Sequence, residues 1–355
     1  MKKIIIKRKG KDFLLNGKRT QLRMRTSFKL LGYLYNNNKA KARRWLERCK
    51  EQGFHGVRFF GEYHWWVWEK ENVFWGLPPR LAPYSFYEVA PSKWKLRLKH
   101  QKAIRDLVDL LVELEMVGEY SVLATLKSHQ PDWGDPRKLK DVVPYNSHAL
   151  RVTAEFLQEI NATNLIYELY NEIDNDAVRV SAGELQAQLT RWKMRDLRGS
   201  LVGVSNADPW NPKPVTGPSM YCIHTSRNKQ WWDVSESVAK IRKQVGARII
   251  YLNENKPYGT QAQIDNWNWK GITAEWIKIQ KQWNSAYAAK VGGYCFHDLT
   301  GMLTDPNAPI SHAESAHQEQ FGGGEPSPPP PPPLEWVTVY EKDGVRLQRI
   351  GQGGG

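Results

Sequence analysis

Two glutamates, Glu172 and Glu254, stand at or next to the end of an apolar run that is typical of a buried strand: NLIYELY before Glu172 and ARIIYLN before Glu254. In a parallel α/β barrel, the C-terminal ends of the strands form the rim on which active sites are built, so carboxylates there are candidates for chemistry. One carboxyl group can donate a proton while the other stays anionic. They are 254 − 172 = 82 residues apart, or about three βα units of about 30 residues each. The alternative is that both belong to structural ion pairs.

Apolar runs alternate with amphipathic segments along most of the chain, which favours a parallel sheet covered by helices on both faces. The strand candidates are LRMRTSF, GVRFFGE, EYSVLATL, NLIYELY, SLVGVS, SMYCIH, ARIIYLN and YCFHDL. The helix candidates are KAKARRWLERCKEQG, KLRLKHQKAIRDLVDLLVELEMVG, SHALRVTAEFLQEI, AGELQAQLTRWKMRDL, VSESVAKIRKQVG and AEWIKIQKQWNSAYAAKVGG. Only about fifteen residues separate the fifth strand from the sixth, too few for an ordinary crossover helix. Residues 61 to 93 have little periodicity and are interpreted as a long, partly ordered loop.

The two ends of the chain differ from this pattern. Near the N-terminus, two short apolar runs flank KRKGKD, and a second turn follows at Asn16 and Gly17, which predicts a hairpin. Near the C-terminus, FGGGEPSPPPPPPLEW joins a flexible glycine run to a polyproline II rod. The segment EWVTVYEKDGVRLQRI then predicts two strands around a Lys-Asp-Gly turn.

We therefore predict a (β/α)8 TIM barrel with an N-terminal β-hairpin floor over residues 1–310. A Gly/Pro-rich linker over residues 311–333 and a C-terminal β-hairpin tail over residues 334–355 follow it. Because a lone hairpin is marginally stable in water, we expect the tail to dock on the barrel or on another protein.

The net charge of +14 is concentrated at one end of the chain. Residues 1 to 50 hold 17 Lys and Arg against Asp12 and Glu47, or 17 − 2 = +15, which leaves 14 − 15 = −1 for the rest. A basic end could contact nucleic acid, an anionic glycan or an acidic protein. The alternative is a solvated basic face on a terminal hairpin and first helix. Because no nucleic-acid-binding motif is recognisable, nucleic acid is not an expected partner.

The three cysteines, Cys49, Cys222 and Cys295, cannot all pair, and we interpret them as reduced, buried small hydrophobes. The opening MKKIIIKRKGKDF has an apolar run of only three residues, too short for a signal-peptide core. No stretch approaches the roughly 20 apolar residues of a membrane span. We expect a soluble protein without a signal peptide, cytoplasmic or virion-associated, that does not bind membranes.

In order along the chain, six motifs resemble those of the clan A glycoside hydrolases, and most closely the cellulase-like glycoside hydrolase family 5. The resemblance covers roughly residues 3 to 305. LLNGKRTQLRMRTSF resembles the opening hairpin and first strand of that family. GFHGVRFF, HQPDWG, YELYNE, YCIH and IYLNE are similar to its second, third, fourth, sixth and seventh strand motifs. The residues at the matching positions are Arg58, His129, Asn171, Glu172, His224 and Glu254.

The resemblance implies retaining hydrolysis of a glycosidic bond in a carbohydrate substrate, with no metal and no cofactor. Glu172 would be the acid/base and Glu254 the nucleophile, about 5 to 5.5 Å apart. Arg58 would hold Glu254 ionised, because a nearby positive charge lowers a carboxyl pKa. Asn171 would hydrogen-bond the sugar 2-hydroxyl. His129 and His224 would support the site or bind sugar hydroxyls, with a purely structural role as the alternative for each.

Two positions depart from the family pattern. Ser226 stands where the family places a tyrosine after the sixth-strand histidine. His297 and Asp298 stand where the eighth strand usually ends with tryptophan, and both are candidate substrate-binding residues. These departures, with the polyproline rod and the tail, motivate a second hypothesis: a barrel that binds glycan without cleaving it, tethered to a larger assembly such as a viral particle. A third hypothesis is a metal-dependent hydrolase that uses His129, His224, His297 and Asp298, although no close His-x-His spacing is present.

Many tryptophans follow candidate strands instead of lying within them. Aromatic side chains on a barrel rim offer flat apolar faces on which sugar rings can stack. The alternative is that many of them pack the loops onto the barrel. Trp133, Trp210, Trp231 and Trp267 are taken as candidate glycan contacts. Of 16 tryptophans, the ten that follow candidate strands are Trp65, Trp66, Trp68, Trp75, Trp133, Trp210, Trp231, Trp232, Trp267 and Trp269.

Overall fold

The computed structural model describes most of the predicted barrel and part of the C-terminal region. The described residues are 4–61, 86–90, 93–123, 142–170, 201–206, 218–224, 234–254, 290–297, 304–307, 310, 314, 317–318, 321–322, 336–341 and 344–349. Among these, only the backbone is described at residues 86–90, 93–94, 123, 142–149, 170, 206, 237, 254, 336–341 and 344–349.

A three-stranded antiparallel sheet opens the chain and forms the floor of the barrel. Its strands are β1 (Ile6–Lys9), β2 (Asp12–Leu15) and β3 (Lys18–Thr20). Asn16 and Gly17, between β2 and β3, both have positive φ, as a tight two-residue hairpin turn requires. The Phe13 ring is fully buried beneath the barrel and packs edge-on against Tyr251, with ring centroids 6.1 Å apart. The predicted hairpin floor is confirmed.

Eight parallel strands form the barrel, and the fifth is split into two halves. The two halves are β10 (Leu201–Gly203) and β11 (Ser205–Asn206), which flank Val204. The first half pairs with β9 (Leu165–Tyr170) and the second with β12 (Met220–His224), so the ring closes through them. The predicted fold class is therefore confirmed. The strands are β4 (Leu22–Thr26), β5 (Gly56–Phe60), β8 (Val117–Leu123), β9 (Leu165–Tyr170), β10 (Leu201–Gly203), β11 (Ser205–Asn206), β12 (Met220–His224), β13 (Ile249–Glu254) and β14 (Gly293–Phe296).

The described helices pack outside the sheet. They are α1 (Leu30–Tyr35), α2 (Lys39–Glu51), α3 (Leu98–Glu113), α4 (Val142–Glu159) and α5 (Ser235–Val245). Four of the predicted helices correspond to α2, α3, α4 and α5, although α4 begins five residues before SHALRVTAEFLQEI. The predicted helix over residues 182–197 lies outside the described residues, as does nearly all of the one over 274–293.

A short helix and a two-stranded hairpin were not predicted. The short helix α1 lies between the first barrel strand and α2. Within the region interpreted as a loop, β6 (Phe86–Ala90) and β7 (Lys93–Leu96) form an antiparallel hairpin. The interpretation of residues 61–93 as loop is therefore wrong for residues 86–90 and 93.

The core has an inner and an outer layer, because alternate residues of each strand face opposite sides of the sheet. Inside the barrel, the layer next to the floor is apolar and includes Leu22, Met24, Val117 and Ile166. Outside it, the other face of each strand packs against the helices. The three cysteines are buried thiols, as predicted.

A C-terminal segment also packs on the barrel. Glu314, His317 and Phe321 are helical positions three and four residues apart, and so share one face. Glu314 is fully buried, 2.7 Å from Arg25 and 2.8 Å from Arg48. This packing extends past residue 310, where the linker is predicted to begin, and the division into domains stays a prediction.

His317 completes this contact as a neutral ring. It stacks on Phe54 with centroids 3.8 Å apart, and its Nδ1 lies 2.6 Å from the Gln52 carbonyl oxygen. Burial lowers the pKa of His317 well below its ordinary value. Nδ1–H therefore donates to the carbonyl, and Nε2, 3.0 Å from the Tyr294 hydroxyl, accepts.

Near the C-terminus, β15 (Trp336–Glu341) and β16 (Gly344–Arg349) form the predicted hairpin. Most of the predicted linker over residues 311–333 lies outside the described residues, and docking of the hairpin stays a prediction. None of the helices in the described part of the chain is long and apolar enough to cross a bilayer.

Candidate active site

The rim positions chosen from the sequence lie just after the end of β9 and at the end of β13. The strand β9 ends at Tyr170, so Asn171 and Glu172 come directly after it, and both lie outside the described residues. The last residue of β13 is Glu254, of which the backbone is described. It pairs with His224, the last residue of β12.

The strand β13 is irregular immediately before Glu254. Ile223 pairs with Leu252, but His224 pairs with Glu254, so Asn253 is an extra residue in the ladder. Such a bulge interrupts the regular alternation of side chains, and bulges often lie beside active sites, where they redirect a side chain.

Directly below the rim, the barrel interior contains a layer of polar side chains. Arg58 on β5, Glu119 and Ser121 on β8, Glu168 on β9 and Asn253 on β13 each have 0% of their surface exposed. Burial of charged groups is costly unless they are paired and hydrogen-bonded, so their partners decide whether the layer is stable.

Arg58 connects the strands on opposite sides of the barrel. One terminal nitrogen lies 2.7 Å from Glu168 Oε2, and the other donates to the Asn253 carbonyl oxygen at 3.1 Å. Its Nε lies 3.5 Å from Glu119 Oε1. The predicted neighbour of the nucleophile therefore binds the backbone of the residue that precedes Glu254.

Asn253 closes the network. Its Nδ2 donates to Glu168 Oε1 at 2.6 Å and lies 3.3 Å from Glu119 Oε1. The side chains of β9 and β13 therefore meet inside the barrel, immediately below the positions where both strands end. Ser121 Oγ also donates to Glu168.

The electrostatics of this layer favour a neutral Glu119. Burial raises the pKa of Glu119 to about 8, Arg58 opposes this increase, and the charge of Glu168 adds to it. Tyr251 donates its hydroxyl proton to Glu119 Oε2 at 2.6 Å. Burial, with the charge of Glu119, raises the pKa of Tyr251 well above its ordinary value, so the phenol remains protonated.

Both described candidate histidines line the barrel. His224 is almost fully buried, in register with Glu254. His297 follows β14 and is 4% exposed; its Nδ1 lies 3.0 Å from Thr26 Oγ1 and its ring packs edge-on against Phe28. The predicted departure from the family 5 pattern at the end of the eighth strand is thus a histidine held against the first barrel strand.

The remaining candidates stay predictions, because they lie outside the described residues. Within the described residues, no group of three or more His, Cys, Asp and Glu is arranged to hold a metal ion. The undescribed candidates are His129, Trp133, Asn171, Glu172, Trp210, Trp231, Trp267 and Asp298.

Glu119, Glu168, Tyr251 and Asn253 were not among the residues chosen from the sequence. The available signal was a charged residue inside an otherwise apolar strand: Arg58 in GVRFF, Glu119 in VGEYSVL and Glu168 in LIYELY. Strands buried on both faces are nearly all apolar, so three such exceptions indicate charges that compensate one another inside the barrel.

No protein-family model matches the chain, and no curated protein matches it in sequence. Solved structures of similar fold include the β-mannanase of the blue mussel Mytilus edulis, with a TM-score of 0.57 and 13% identity over 89% of this chain and 95% of that one. The endo-1,4-β-mannanase of Rhizomucor miehei has a TM-score of 0.52 and 14% identity over 88% and 99% of the two chains. A GH5_18 protein of Streptomyces cattleya, solved in complex with GlcNAc, has a TM-score of 0.54 and 15% identity over 87% of this chain and 82% of that one.

These similarities extend over most of both chains in each pair. They confirm the predicted resemblance to glycoside hydrolase family 5 at the level of the fold. At 13 to 15% identity the likeness is one of fold, and function has to be argued from the site.

Proposed function

We propose that this protein is a retaining glycoside hydrolase that cleaves a polysaccharide or oligosaccharide, with Glu172 as acid/base and Glu254 as nucleophile. The observation that carries the proposal is the contact between β9 and β13 across the barrel, where Asn253 donates to Glu168 at 2.6 Å. Glu254 follows Asn253 directly, and Glu172 lies four residues beyond Glu168. The two strands that supply the carboxylates are therefore held together just below the rim.

The bulge at Asn253 supports the role of Glu254. In a regular strand, consecutive side chains face opposite sides of the sheet, and Asn253 faces the interior. Because the extra residue interrupts this alternation, Glu254 is not forced to the outer face by its inward-facing neighbour.

The proposed chemistry divides the work between the two carboxyl groups. Glu172 protonates the leaving glycosidic oxygen while Glu254 attacks the anomeric carbon, forming a covalent glycosyl-enzyme; Glu172 then deprotonates the water that hydrolyses it. The Arg58 guanidinium lies beneath the nucleophile's strand end and favours its anionic form. Asn171 and His224 are proposed to bind sugar hydroxyls.

The test is loss of turnover in Glu172→Ala and Glu254→Ala. The solved structures of similar fold include β-mannanases, so β-1,4-mannan is the first polysaccharide to assay, with other β-glycans and activated aryl glycosides beside it. Loss of the nucleophile is expected to reduce kcat by at least about 10³-fold.

The acid/base variant should respond differently to the substrate. Glu172→Ala should lose less activity on aryl glycosides with good leaving groups, which need little proton donation, than on natural glycans. Product anomers followed by NMR should show retention. Wild-type turnover that neither substitution changes would contradict the proposal.

His297 favours a second candidate, a barrel that binds glycan without cleaving it. The histidine is held by Thr26 in the position where family 5 relatives present a tryptophan to the reactive sugar. In this case the C-terminal hairpin would tether the barrel to a larger assembly, for which a viral particle is one setting. Glycan binding that persists in the Glu172→Ala, Glu254→Ala double variant, with no wild-type turnover, would favour this candidate.

A further inference from the structure

Two carboxyl groups share one guanidinium inside the barrel. Glu119 and Glu168 are fully buried, and Arg58 lies 3.5 Å from Glu119 and 2.7 Å from Glu168. The same Asn253 amide nitrogen reaches both carboxyl groups, at 3.3 and 2.6 Å. One cation thus faces two potential anions in a site away from water, where an uncompensated second charge is strongly disfavoured.

The other described groups that face Glu119 bring no second cation. Tyr251 on β13 is a neutral phenol, and Asn253 is an uncharged amide. Cys222 on β12 is a buried thiol whose pKa is raised well above its ordinary value by burial and then by the two glutamates. Among the described residues around the pair, Arg58 is the one group that compensates a negative charge.

We propose that the pair of Glu119 and Glu168 holds a single proton in total, which is called proton sharing below, and that this pair positions the end of β13 below Glu254 by holding Asn253. Glu119 is a positioning residue: it acts through Asn253 and does not touch the substrate. The proton-sharing part rests on the geometry of the pair alone, whereas the positioning part rests on the proposed function.

The proton has a consequence for stability whose direction follows from linkage. The folded-state pKa of Glu119, about 8, is above its ordinary value of 4.5. Between these values the folded protein holds a proton that the unfolded chain has lost, so this group makes the free energy of unfolding fall as pH rises. Below pH 4.5 and above about pH 8, the contribution of this group to the free energy of unfolding no longer changes with pH.

Thermal unfolding midpoints measured across this pH window test the pair. Above about pH 6.5, where His55, His100 and His317 are mostly neutral in both the folded and the unfolded chain, wild type and the control Glu51→Gln, which removes an exposed carboxylate at the end of α2, should lose stability together as pH rises. Glu119→Gln and Glu168→Gln should each give a flatter curve, because one carboxylate then faces one guanidinium. The proposal is overturned if the unfolding temperature of Glu119→Gln depends on pH as steeply as that of wild type. It is also overturned if Glu119→Gln flattens the curve but Glu168→Gln does not.

Infrared spectra of the wild-type protein provide a test that needs no variant to fold. A protonated buried carboxylic acid has a carbonyl band apart from those of ionised carboxylates. We expect this band at about pH 6 and its loss at about pH 9, on either side of the shifted pKa. No such band at the lower pH overturns proton sharing.

The positioning role is tested by the pH profile of kcat. Ionisation of Glu119 places a second negative charge beside Arg58, which then competes with the hold of Arg58 on the Asn253 carbonyl oxygen and loosens the end of β13. Glu119→Gln cannot ionise and should keep about threefold more of its maximal kcat at about pH 9 than wild type does, with KM little changed. If kcat falls with rising pH in the same way in wild type and in Glu119→Gln, the positioning role is overturned. Absence of any wild-type turnover defeats the proposed function instead, and the unfolding and infrared measurements still decide proton sharing.

Discussion

Arg58 shows why individual contacts inside the barrel were harder to predict than the barrel itself. A cation in the run GVRFF is visible in the sequence, and its proximity to the predicted nucleophile was expected from the family pattern. Its partner Glu168 lies 110 residues away in the chain. Such a pairing is created by ring closure, and no local pattern encodes it. The glutamates were chosen as rim residues, while two further glutamates below the rim were missed.

Replacing Arg58 should be strongly destabilising. Arg58→Met leaves Glu119 and Glu168 buried without a guanidinium, and breaking a buried ion pair by removing one partner costs about 3 to 5 kcal/mol. The matched control is Arg44→Met on the exposed face of α2, which should change stability by less than about 0.5 kcal/mol. Urea unfolding measures both, and equal effects of the two substitutions would contradict the assigned role of Arg58.

The sequence predicted those secondary-structure elements that have a clear apolar run or a clear periodicity. Most of the barrel strands are rich in apolar residues, which is the pattern of a sheet covered on both faces. The hairpin of β6 and β7 was missed because its region is dense in aromatic and proline residues and lacks alternation. The six-residue α1 is too short for a 3.6-residue period to emerge. Gly53, predicted to stop α2, does so with φ of 82°.

Gly53 is also the point where α2 meets the C-terminal segment. A Cβ there would lie 2.3 Å from the Phe321 carbonyl oxygen, whereas at Gly10, with φ of 60°, it would meet nothing within 4 Å. Both Gly→Ala changes incur the left-handed backbone penalty of about 1 to 2 kcal/mol. Gly53→Ala should lose clearly more stability than Gly10→Ala in denaturant unfolding, and equal losses would mean that the segment moves away without cost.

The C-terminal segment makes the barrel depend on residues beyond its eighth strand. Glu314 is the buried carboxylate between Arg25 and Arg48, and Gln52 also donates to it at 2.9 Å. The Arg25 guanidinium in turn lies 4.6 Å from the centre of the Trp45 ring. Without the segment, Arg25 and Arg48 would lose the Glu314 carboxylate, and Phe54 would lose the stacked ring of His317.

Truncation tests this dependence. A chain ending after residue 310 should unfold at a markedly lower temperature than the full chain or give little soluble protein, because buried Arg25 would be left uncompensated. A chain ending after residue 322 keeps the segment and should unfold close to the full-length temperature. Equal unfolding temperatures for the two truncated chains would show that the segment contributes nothing.

The apolar layer over the barrel floor has a kinetic consequence. Phe13 closes the bottom of the barrel, and the side chains of Leu22, Met24 and Ile249 separate it from Glu119 and Glu168. Proton exchange between solvent and the two glutamates through this floor would have to cross apolar side chains, so we expect it to be slow on that side. If a sugar binds at the opposite end of the barrel, as the proposed function requires, the interior would keep the ionisation state that it had when the sugar bound until the product departs.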